Sequence, residues 1–83
     1  MSTSSVSWKD VKYEEVFEKE LRALQRRREQ DPLCTVKDIE GILKNLYIME
    51  GAEGLGEVNL VSMAAAIAAH EHFICQWKLE STV

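Results

Sequence analysis

The stretch that decides the fold is Leu60 to Trp77, LVSMAAAIAAHEHFICQW, in which Glu71 is the only charged residue apart from two histidines. Within it Leu60, Met63, Ile67, His70, Ile74 and Trp77 recur at spacings of 3, 4, 3, 4 and 3. That is the heptad seam of left-handed helix packing. A second surface, Ser62, Ala65, Ala66, Ala69 and Phe73, consists of small residues and one ring, and it suits close approach by another helix. A helix apolar nearly all round is buried nearly all round, so the rest of the chain has to be judged by what it can place against this one.

Upstream, Tyr13, Val16, Phe17, Leu21 and Leu24 fall on one helical face with charge on the others. Glu15–Lys19 and Glu18–Arg22 are spaced i,i+4, and Arg26, Arg27 and Arg28 complement the C-terminal dipole. Asp31-Pro32 stops this helix, because the residue before proline is pushed out of the α region. Two starts compete: a Ser7 cap, which leaves Trp8 and Val11 off the main stripe, or an Asp10 cap with Trp8 folded back.

Thr35 and Asp38 have capping-box spacing, with Cys34 and Ile39 placed as a hydrophobic staple. Val36, Ile39, Ile42, Leu43, Leu46 and Met49 then form one stripe, with Ile48 the misfit on the polar side. Gly51 is expected to close this helix in a left-handed cap. Gly51, Gly54 and Gly56 punctuate the joint before the last helix, which Glu57 or Asn59 opens.

The reading is an all-α, three-helix antiparallel bundle with helices near 10–30, 36–50 and 58–80, and with a long, nearly all-apolar C-terminal helix. Residues 1–7 are a flexible tail, 8–80 one domain and 81–83 a C-terminal tail. By length the last helix spans about 33 Å against about 22 Å for the second. Two companions, one of them short, do not cover it, so a homodimer is expected to complete the core.

Composition bounds the function. The 83 residues carry 46% apolar and 29% charged side chains, ordinary globular usage for one small domain. Residues 1–31 hold seven basic and seven acidic groups, and residues 32–83 hold three and seven, so the net charge of −4 belongs to the second part. General attraction to nucleic acid or anionic lipid is disfavoured. Met1 to Ser7 has no basic segment followed by an apolar run, unlike a secretory signal. Val58 to His70 is too short and too polar to span a bilayer. Cys34 and Cys75 are then reduced thiols of a soluble, cytoplasmic protein; Cys75 reads as a core filler and Cys34 as a buried staple.

His70-Glu71-His72 is the weak metal candidate, but residues two apart on a helix point about 200° apart. His70 is read as a neutral histidine bonded in or near the core, the sharper alternative being a pH-sensing contact near a two-fold axis. Gly51 to Glu57 has the glycine density of a phosphate loop, yet it follows a helix, lacks lysine and carries Glu53 and Glu57. Arg26-Arg27-Arg28 is read as a solvated helix end. Ser81-Thr82-Val83 has a Ser-x-Val pattern that carboxylate-capturing domains accept.

No catalytic residue and no cofactor is expected. The function expected is an assembly or protein-interaction module, with Leu60, Met63, Ile67, His70, Phe73, Ile74, Trp77, Trp8 and Ile48 at its interface. Of these Trp8, Ile48, Phe73 and Trp77, together with Val11, are the anchors expected to be exposed in the monomer. Two alternatives are a ligand- or metal-binding bundle centred on His70, Glu71 and His72, and a nucleic-acid accessory protein using Arg26 to Arg28.

Overall fold

Ser7 opens the first helix: its hydroxyl accepts from the Asp10 backbone N–H at 3.3 Å, satisfying one of the orphan donors at a helix start. In the computed structural model, which describes residues 7–51, Gly54 and 56–81, three helices follow: α1 (Trp8–Gln30), α2 (Val36–Glu50) and α3 (Glu57–Ser81). No strand occurs among the described residues. With the Ser7 cap in place, Trp8 stays 49% exposed and Val11 is exposed too, so α1 has an uncovered apolar patch off its main stripe.

Asp31 ends α1, and its carboxylate accepts from the Leu33 N–H at 3.0 Å across the turn. Both halves of the Thr35–Asp38 capping box are made: the Asp38 N–H donates to Thr35 Oγ1 at 3.3 Å, and the Thr35 N–H donates to Asp38 Oδ2 at 2.9 Å. Cys34 and Ile39 are both buried in one cluster, as a staple requires.

Gly51 departs from expectation. It caps α2 in the right-handed region, at φ −79° and ψ −4°, and its N–H donates to the Tyr47 carbonyl at 3.2 Å. Among the described residues of the joint the one with positive φ is Gly54, at φ +89°.

Both α1 and α2 pack along α3 and, among the described residues, not along each other. Lys9 pairs with Glu57 at 3.2 Å and Arg28 with Glu80 at 3.0 Å. On the other flank Lys78 pairs with Glu40 at 2.9 Å, and the Tyr47 hydroxyl donates to Glu71. The core cluster of Leu24, Cys34, Ile39, Phe73 and Ile74 gathers side chains from all three helices and the α1–α2 turn. Ile39 is its fully buried member, a residue whose burial contributes about 1.5–3 kcal/mol.

Candidate functional site

The buried positions of α3 are Ala65, Ala66, Ile67, Ala69, His70, Phe73 and Ile74. At 100° per residue they occupy an arc of about 200°. Val61, Ala64, Ala68, Cys75 and Leu79 fall in the remaining arc, where none of them is buried and Leu79 is 58% exposed. The small residues Ser62 and Ala66 border a cleft of about 380 Å³ with Val16 and Glu20 of α1 and Leu46 and Met49 of α2. This arc of α3 is thus less covered than the arc on which α1 and α2 pack.

That outcome redistributes the residues expected at an interface. Ile67, His70, Phe73 and Ile74 are buried inside the single chain, on the face where α1 and α2 seat themselves. Phe73, expected as an exposed anchor in the monomer, is 5% exposed and meets the Trp77 ring edge-on at 5.6 Å. Met63 and Trp77 are half-buried, while Leu60, Trp8 and Ile48, the last at 65%, are exposed. Cys75 is a correction as well: it is exposed, because it lies on the uncovered arc and not in the core. Cys34 is buried as expected, and both thiols are free.

Beside the open arc runs an apolar groove of about 440 Å³ between α2 and α3, lined by Leu43, Ile74, Cys75 and Leu79 and edged by the Glu40–Lys78 pair. A more polar cleft of about 570 Å³ lies on the α1 side, among Leu21, Gln25, Arg28, Phe73, Gln76 and Glu80. Arg28 there is already held by both Glu80 oxygens, at 3.3 and 3.0 Å.

The three residues of the metal candidate go to three different partners. His70 Nδ1 lies 2.7 Å from the Ala66 carbonyl, which accepts its proton; the ring is 4% exposed. Glu71 turns to α2 and accepts from Tyr47, which raises the Tyr47 pKa above its ordinary value of 10.0, chiefly through that hydrogen bond. His72 turns to α1, its ring 5.9 Å from that of Phe17. No group of three or more His, Cys, Asp or Glu side chains converges among the described residues.

The arginine cluster divides too. Arg28 is drawn inward over Trp77, while Arg26 and Arg27 are exposed. Of the glycine-rich joint, Ala52, Glu53 and Leu55 lie outside the described residues, as do Thr82, Val83 and residues 1–6. By length and composition Glu57–Glu80 is apolar enough to cross a membrane, which the shorter Val58 to His70 window did not suggest. The same stretch is the helix on which the other two pack.

No protein-family model, curated protein or solved structure matches this chain. The residues that sequence reasoning missed are Val61, Ala64 and Ala68, and the Tyr47–Glu71 pair. Their shared spacing is visible in the sequence, but a helix without a polar face offers no contrast by which to pick one arc over another.

Proposed function

We propose that the chain is a small helical assembly module without catalytic chemistry: a three-helix antiparallel bundle completed by a second copy. The observation that carries the reading is the less covered arc of α3, where Val61, Ala64 and Ala68 are half-buried and Cys75 is exposed. The ion pairs support the antiparallel arrangement. Lys9–Glu57 and Arg28–Glu80 align the starts and the ends of α1 and α3, whereas Lys78–Glu40 joins the end of α3 to the start of α2.

A second packed layer enlarges the small core that the three helices form. A copy laid on the open arc supplies the second layer. In this reading α3 is the core of a soluble, cytoplasmic homodimer with no membrane, nucleic-acid or metal partner.

Light scattering on a sizing column, over a concentration series, tests it. The expected particle has twice the 9.5 kDa chain mass. A particle of single-chain mass up to millimolar concentration, with a cooperative melt and no uptake of a dye that binds apolar surface, overturns it.

A further inference from the structure

We draw no further inference here: the strongest candidate, the polar cleft between the second halves of α1 and α3, has its Arg28 and Glu80 already paired with each other and its Gln25, His72 and Gln76 side chains open to solvent, and nothing in the structure shows what would fill it.

Discussion

The guanidinium carbon of Arg28 lies 4.2 Å from the ring centroid of Trp77, so the end of α1 is pinned to the end of α3 by a stacked cation as well as by the Glu80 carboxylate. Arg28→Ala removes both contacts and should cost about 1 kcal/mol in urea unfolding. Arg28→Lys should recover only part of that, because lysine lacks the planar fork. Arg26→Ala and Arg27→Ala should stay within about 0.5 kcal/mol of the native chain. Equal effects at all three positions would contradict this division of the cluster.

Gly51 and Gly54 should respond in opposite ways to replacement by alanine. A Cβ at Gly51 meets the Ile48 and Tyr47 carbonyl oxygens at 3.7 and 3.8 Å, ordinary contact distances, in right-handed backbone. Gly51→Ala should be neutral or stabilise by about 0.5 kcal/mol, chiefly by restricting the unfolded chain. Gly54 has open space around it but a φ of +89°, so Gly54→Ala should cost about 1–2 kcal/mol. Thermal melts of the two variants side by side make the comparison.

Tyr47 should titrate above the ordinary phenol value of 10.0 because Glu71 accepts its proton in a hydrogen bond. The folded state holds that proton more tightly than the unfolded state does. The resulting stability is fully present below the unfolded pKa and is lost as pH rises through the higher folded value. Phenolate absorbance should show a late transition that disappears in Tyr47→Phe and moves down in Glu71→Gln. A Tyr47 transition unmoved by Glu71→Gln would mean that the hydrogen bond is not its cause.

Ile39 is 0% exposed while Leu33, on the preceding turn, is 85% exposed. Ile39→Ala should remove about 2–5 kcal/mol through lost transfer energy and a residual cavity, enough to unfold a domain of this size. Ile39→Val should cost about 1 kcal/mol, and Leu33→Ala should be close to neutral. Far-ultraviolet circular dichroism against urea distinguishes the three.

The local punctuation was legible because each signal acts over a few residues. The Thr35–Asp38 box, the Cys34–Ile39 staple and the stop at Asp31-Pro32 depend on spacing alone, and all are present. The His70 hydrogen bond to Ala66 likewise stays within one turn of its own helix. What spacing did not reveal is which side of α3 its companions take. The heptad Leu60, Met63, Ile67, His70, Ile74 marks one seam, but apolar residues on every side make several seams energetically similar, and the choice depends on where α1 and α2 are tethered. Cys75 was misplaced for the same reason. Gly51 differs from expectation because its backbone stays right-handed, and among the described residues of the joint the positive φ falls at Gly54.

The backbones of the two earlier helices run along α3 and not along each other, and the helix that unites them comes after both. During translation α1 and α2 therefore emerge with their apolar stripes unmet, and no stable half-structure forms ahead of the last helix. A copy interrupted before Leu60 lacks the helix on which the other two pack, so it should be cleared by proteases as an unfolded peptide.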